Sequence, residues 1–460
     1  MILISTAGCQ NAVDLFTPQT SEKPVAVSEK FQRSGTGILP DKYWLAFKDK
    51  QLNKLVEQAL AENFTIKIAY DRLKQAEAIY IRSRSELYPQ LNALAGSAWS
   101  RNISSGQGRK NKFNFGLQLD YEFDIWGRIA KRAEAADYEF LATREDLQAV
   151  AISLVAQITQ LWSEIIASNA KIKILNEQIK LNKKYCELIE FRYKRGKVPL
   201  ADLLRQTQLT ESKRSLKILA LAENKILRQQ LAILLGKTPD KNEFGISDQQ
   251  PTLGGIPSTG LPAELIQRRP DVKAAFLRLK SANANISQAV AERFPRFSFS
   301  LDANSTSQNI RNLFDNWLAT IAANMLAPIL DGDRRKADVE RAYQVAQLNL
   351  HNYSSTILKA LGEVEQALVQ DYRQNQYVKS LKIQLTTSQK VINRTTRRYK
   401  FGALDYLRIL DALQSHQLLQ LKLVTAQQQR IQYRINLYRS LAGGWNYKSN
   451  VPPPKKTAPF

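Results

Sequence analysis

A constant offset of 206 residues superimposes the two halves of this 460-residue chain, and that repeat constrains the fold more than any single motif. Arg72, Leu73, Lys74, Glu86 and Pro89 match Arg278, Leu279, Lys280, Glu292 and Pro295. Further on, RYKRG (Arg192 to Gly196) matches RYKFG (Arg398 to Gly402), and Leu204 and Gln208 match Leu410 and Gln414. The period is too long for a solenoid, so the chain is a duplicated unit. Each unit reads helix, two strands, very long helix, turn, long helix.

The long helices follow from missing breakers. Between Arg128 and Arg195 there is neither Gly nor Pro, and between Arg334 and Phe401 only Gly362. Either stretch reaches on the order of 100 Å as a helix. The return segments, Leu200 to Leu235 and Ala403 to Ala442, also lack Gly and Pro. Gly196 and Gly402 supply left-handed turns, with Arg and Lys at the preceding helix ends.

The strands show a period of two. Phe113, Phe115, Leu117, Leu119, Tyr121, Phe123 and Ile125 alternate with Asn114, Gln118, Asp120, Glu122 and Asp124. Phe297 to Ala303 and Trp317 to Met325 repeat the pattern, and Leu91 to Trp99 is the fourth strand. Turns are expected at Asn102 to Lys112 and Asn304 to Asn312. A sandwich also shows alternation, but it does not explain four strands interleaved with hairpins far longer than a compact domain. Apolar residues opposite acids and amides suit a barrel with lipid outside and water inside. Four strands cannot close one, so several chains must share the barrel.

Composition narrows the function. Two His, two Cys and two Met argue against a zinc site, a haem, an iron–sulfur cluster or a His-based triad. His351 and His416 lie on the long helices without metal spacing, no metal or cofactor is expected, and there is no phosphate-binding loop. The formal charge of +24 is spread along the chain, as in KIKILNEQIKLNKK (Lys171 to Lys184), which reads as a solvated helix face rather than a nucleic-acid groove. No uncharged apolar run reaches the about 20 residues of a spanning helix; Leu147 to Trp162 reads as a helix buried among helices. Ala7-Gly8-Cys9 is similar to the end of a bacterial lipoprotein signal, which makes Cys9 the candidate lipidation site. Thr6 stands where Leu is usual, and no Lys or Arg precedes it.

These residues resemble the TolC-like outer-membrane channels, in the OprM/NodT-type lipoprotein branch of tripartite multidrug efflux systems. The most specific string is GLPAELIQRRPDV, with Gly260, Leu261, Pro262, Arg268, Arg269, Pro270 and Asp271 on the family motif. DIWGR (Asp124 to Arg128), APILDGDRR (Ala327 to Arg335) and RYKFGALDYLRILDA (Arg398 to Ala412) support it.

The resemblance implies a mixed α and β fold: a homotrimer with a twelve-stranded transmembrane barrel, four strands per chain, continued by a periplasmic α-helical barrel. It implies a passive exit duct, not an enzyme, for drugs, toxic small molecules or metal ions. The partners would be a periplasmic adaptor, an inner-membrane RND-type pump and outer-membrane lipid. A type I protein secretion channel and a basic coiled-coil scaffold are the alternatives.

The expected layout has a signal over 1–9, an extended segment 10–40 and a first repeat 41–236. The first repeat holds a β-hairpin at about 90–126 and a helical hairpin at 128–235. An equatorial linker then covers 237–260, ahead of a second repeat at 261–442 with hairpins at about 295–329 and 334–442, and a tail at 443–460. The resemblance places adaptor docking at Arg192, Tyr193 and Gly196 and at Arg398, Tyr399 and Gly402. It places a periplasmic gate at Leu407 and Asp411, while an arginine sometimes found three residues on is here Gln414. The repeat aligns Arg205 with Asp411, suggesting alternating charges at the tip.

Overall fold

The computed structural model describes residues 30–35, 37, 41–100, 110–241, 243–441, 445 and 447. Cys9, the signal, most of the extended segment, most of the Asn102–Lys112 turn and most of the tail lie outside them.

The expected first helix is two. α1 (Lys50–Glu62) and α2 (Phe64–Ser85) meet at Asn63, whose carbonyl oxygen Oδ1 accepts the Thr65 amide at 2.7 Å and caps α2. Its counterpart is also divided, into α5 (Pro262–Arg268) and α6 (Pro270–Ala291), because Pro270 starts a new helix and forces Arg269 into an extended conformation.

The strands are β1 (Gln90–Ser100), β2 (Lys110–Phe123), β3 (Arg296–Ser307) and β4 (Trp317–Leu326), in one antiparallel sheet of order β1-β2-β3-β4. The hairpins are thus slightly shorter than expected at their helix-proximal ends. The expected turn at Asn304–Asn312 is displaced, since β3 pairs with β2 as far as Ser307. Asn304 to Thr306 are polar, which hid the strand from a reading based on apolar alternation. The central β2–β3 pairing joins the two repeats.

Four very long helices follow the strands. α3 (Arg128–Lys194) and α7 (Arg334–Lys400) each contain 67 residues, about 100 Å of helix. α4 (Leu200–Leu234) and α8 (Tyr406–Leu441) return antiparallel to them. α3 packs on α4, α7 on α8, and α3 on α8, so α4 and α7 form the edges of this layer. Nearer the strands, α2 and α6 pack on α3, and α6 also packs on α7.

The main apolar core lies at the waist. Tyr43, Trp44, Phe47, Leu52 and Val56 meet Ile152 to Ile166 of α3, Leu231 of α4, and Ile431, Ile435 and Tyr438 of α8. Trp445 closes it edge-on against Trp44 at 5.0 Å. The stretch Leu147 to Trp162 is therefore core helix, buried among other helices as expected. The linker crosses the same level. Phe244 O accepts from Gln51, Ile246 O and Ser247 O from Asn169, Asp248 pairs with Lys173, and Gln250 donates to Val424 O.

Candidate functional site

The sheet register builds two unlike walls. Leu91, Leu119, Leu301 and Ile321 stand opposite one another across all four strands, and the neighbouring row is Asn92, Gln118, Asp302 and Thr320. Alternation within each strand makes these rows opposite faces of the sheet. Phe123, Phe297 and Met325 extend the apolar face at one end. At the other end Phe115, Phe314 and Trp317 form an aromatic group with centroids 5.6–6.3 Å apart.

The acidic residues at and just past the end of β2 serve the strand-to-helix junction instead of the polar wall. Asp124 accepts the amides of Ile129 and Ala130 at 3.0 and 2.7 Å, and Glu122 pairs with Arg128. Trp126 donates to Pro295 O at 2.7 Å and stacks on Phe294. The DIWGR string thereby fastens the first repeat to the second.

The GLPAELIQRRPDV string does similar work at the waist. Arg269 is buried and donates to Asp271 at 2.6 and 3.0 Å, to Glu363 at 2.9 Å and to Ser440 O. Gly260 adopts φ +67° and Pro262 opens α5. The motif thus pins the α5–α6 break onto α7 and α8, while Arg268 and Leu261 stay exposed.

At the far end of the hairpins the two turns share one backbone. Gly196 has φ +64°, with Gly196 N–H donating to Tyr193 O and Lys197 N–H to Arg192 O. Gly402 has φ +73°, with Gly402 N–H donating to Tyr399 O and Ala403 N–H to Arg398 O. Both are Schellman motifs, which need a residue at positive φ and therefore a glycine. The Arg192 guanidinium lies 4.5 Å from the Tyr399 ring centroid, joining one turn to the other. Ile189, Leu209, Ile392, Tyr399, Tyr406, Ile409, Leu410 and Leu413 form the apolar core beneath.

The gate candidates stand on the first two turns of the return helices. Leu407 and Asp411 are exposed, four residues apart on α8 while Tyr406 and Leu410 turn inward. Arg205 is exposed on α4, and its neighbour Gln206 accepts a 2.7 Å hydrogen bond from Tyr406 Oη. The first two turns of α4 and α8 are therefore joined at the tip. Within the chain, among the described residues, Arg205 and Asp411 form no ion pair.

A buried amide ladder ties the two hairpins together, and sequence reading missed it. Gln206 donates to Asn182 O at 2.9 Å, Gln417 to Asn182 Oδ1 at 2.8 Å, and Gln178 to Gln417 O and Gln420 Oε1. The available signal was Gln178 and Asn182 at i, i+4 in the middle of an unbroken helix. Burial pushes the Tyr406 phenol up, so it stays a neutral donor to this ladder. His416 lies between α7 and α8 with Nδ1 2.8 Å from Ser388 Oγ, and burial lowers its pKa.

Comparison with known proteins agrees with this geometry. The family model "Outer membrane efflux protein" matches residues 55–237 and 261–443, one match per repeat. Cation efflux system protein CusC of Escherichia coli O6:H1 is 27% identical over 456 residues, 96% of this chain and 97% of CusC. Outer membrane protein OprJ of Pseudomonas aeruginosa is 29% identical over 445 residues, covering 93% of this chain and 92% of OprJ. A crystal structure of CusC superimposes with a TM-score of 0.85 at 26% identity, over 93% of this chain and 99% of that one. A matched repeat in each half, a sheet with one apolar and one polar wall, and hairpins 67 residues long on their outgoing arms lead to one conclusion: the chain belongs to the outer membrane efflux protein family and is a TolC-like outer-membrane exit duct.

Proposed function

We propose that three copies of the chain form one duct, which completes a tripartite pump with a periplasmic adaptor and an inner-membrane RND-type transporter. The observation that carries the reading is the open sheet. The apolar row runs from Leu91 on β1 to Ile321 on β4, 66% and 69% exposed, on strands that end the sheet with no further neighbour among the described residues. Unpaired strand edges are not tolerated in hydrocarbon, so the sheet closes only with strands of other copies. Three copies supply twelve strands, enough to enclose a water-filled lumen. The edge helices support the same assembly, with exposed Ile218, Leu219 and Ile226 on α4 and Leu348, Leu358 and Ile383 on α7.

Cargo is selected by the pump in this reading. CusC is named for cation efflux, yet here, among the described residues, no three His, Cys, Asp or Glu side chains gather to hold a metal ion. Leu407 and Asp411 narrow the closed tip, and the turns at Arg192–Gly196 and Arg398–Gly402 receive the adaptor. Lipidation of Cys9 adds a second anchor to the barrel, so Cys9→Ser still assembles; mass spectrometry of the mature N-terminus reads it.

The test is assembly and transport together. The detergent-extracted chain should run as a trimer by native mass spectrometry and conduct ions in planar bilayers. It should also restore efflux to a strain lacking its own outer-membrane duct. A conducting monomer, or a trimer that restores no efflux, would contradict the proposal.

A further inference from the structure

We infer that the hairpin tip is a docking surface on which cations of both turns, densest on the first-repeat turn, meet acidic side chains, and Phe401 of the second-repeat turn meets an apolar one. The inference rests on the reading above that a periplasmic partner caps this end, and it specifies that partner: a segment carrying carboxylates beside apolar residues.

The two turns share their Schellman backbone, so the difference lies entirely in side chains. At the repeat offset Arg195 corresponds to Phe401 and Lys197 to Ala403. Four of the six residues from Arg192 to Lys197 are cationic, against two, Arg398 and Lys400, of the six equivalent residues from Arg398 to Ala403. Some of that charge is already engaged: Lys194 pairs with Glu190 at 2.8 Å, and Arg192 covers Tyr399. Arg195 and Lys197 are different. Both are exposed, and among the described residues neither has a carboxylate partner. Arg195 stacks on Phe191 at 3.9 Å, which holds the guanidinium in place and leaves its edge free to donate.

Helix capping does not account for them. Backbone N–H groups already satisfy the carbonyls of Arg192 and Tyr193, and Arg195 and Lys197 lie past the last helical residue. The macrodipole effect fades within the last turn, where Arg192 and Lys194 already sit.

The second turn projects Phe401 with 82% of its surface exposed, the most exposed aromatic side chain on the tip. Phe191 and Tyr193 are 51% and 39% exposed beside the first turn. Aromatic and arginine side chains together are the usual anchors of protein interfaces. Charge complementarity selects acidic groups as the occupant, and Phe401 adds a requirement for an apolar one.

The full-length chain in nanodiscs tests this with three probes: poly-L-glutamate, an alternating Glu–Leu peptide and phosphatidylglycerol vesicles. Poly-L-glutamate should bind and weaken roughly tenfold between about 50 and 200 mM NaCl. The double variant Arg195→Glu, Lys197→Glu should lose about tenfold in that affinity, whereas Lys225→Glu with Lys422→Glu on the shaft should change it less than about twofold. Phe401→Ala should weaken the Glu–Leu peptide about threefold and leave poly-L-glutamate unchanged.

Equal losses from tip and shaft reversals would overturn the inference in favour of attraction by overall charge. Vesicle binding that depends on Arg195 and Lys197, without peptide binding, would reassign the surface to a membrane. Wild-type chain that restores efflux yet binds no acidic probe overturns only the tip chemistry, whereas failure to restore efflux overturns the duct reading itself.

Discussion

Arg228 and Arg434 occupy the same place in the two repeats, yet one sits at the protein surface and the other is sealed inside. Arg228 is half-buried and donates to the neutral side chains of Asn224 and Asn169. Arg434 is 1% exposed, paired with Asp371 at 2.9 and 3.3 Å, and donates to the carbonyls of Gly254 and Gly255 at 3.0 and 2.8 Å. The difference comes from the facing helix. At the repeat offset Asp371 corresponds to Ile165, which is fully buried in the apolar waist core. One hairpin thus packs on itself through hydrocarbon, and the other uses an ion pair that also holds the linker. Duplication sets the backbone; which side chain faces inward at one position sets how the waist is fastened.

The comparison breaks most visibly at Asp371. Asp371→Asn should destabilise the folded chain by about 3–5 kcal/mol, because it leaves the Arg434 cation buried without its counter-charge. Arg228→Met should lose less than about 1 kcal/mol, as expected for a partly exposed group with neutral partners. Guanidinium unfolding of the two variants side by side measures this, and equal losses would show that the repeats are fastened alike.

The barrel offers the next contrast. Leu119→Arg should cost about 2–4 kcal/mol if its row lies near the bilayer midplane, whereas Gln118→Arg should assemble normally and shift ion selectivity. Trimer recovery and reversal potentials read the two outcomes. Equal defects would show that the two rows do not face different solvents.

Lys213 sharpens the repeat comparison further. It is 6% exposed on α4, and burial lowers its pKa, while the corresponding residue of the second repeat is Leu419, packed among apolar neighbours. Lys213→Leu should raise stability by roughly 1 kcal/mol at neutral pH. A folded pKa below the unfolded one means that the unfolded chain binds more protons between the two values. The wild type should therefore gain stability as pH rises from its folded pKa towards the ordinary lysine range, and Lys213→Leu should lose that rise. Parallel denaturation curves at neutral and alkaline pH check the sign.

The smallest effects belong to the tip. Asp411→Asn and Arg205→Gln should each raise single-channel conductance, with little further gain in the double variant. The groups are exposed, and each pair across neighbouring hairpins contributes about 0–1 kcal/mol. Conductance that responds to Asp411 alone would leave the aspartate gate and remove the pairing.

Much of this architecture was legible along the chain because its signals are local. The absence of Pro, and of any Gly but Gly362, allowed 67-residue helices, Gly196 and Gly402 marked their ends, and the two-residue period of Phe113 to Phe123 marked a strand. Register was not written locally. That Leu119 meets Leu301 as well as Leu91, and Gln118 meets Asp302 as well as Asn92, depends on a strand from the other repeat. The role of Arg269 was hidden for the same reason: the motif was readable, but Glu363 and Ser440, which give it its place, lie on other helices.

By itself, then, the sequence determined the period of the duplication, the length and punctuation of the helices, and the two-faced character of the strands. These depend on backbone propensity and on spacing within one segment. Only the tertiary structure decided that Arg434 would be sealed against Asp371, that Gln178, Asn182 and Gln417 would form an amide ladder, and that the linker would fasten at Gly254 and Gly255. A polar side chain on a long amphipathic helix has the same local pattern whether it meets water or another helix. Its burial is set by the neighbour that packs across it, and that neighbour comes from elsewhere in the chain.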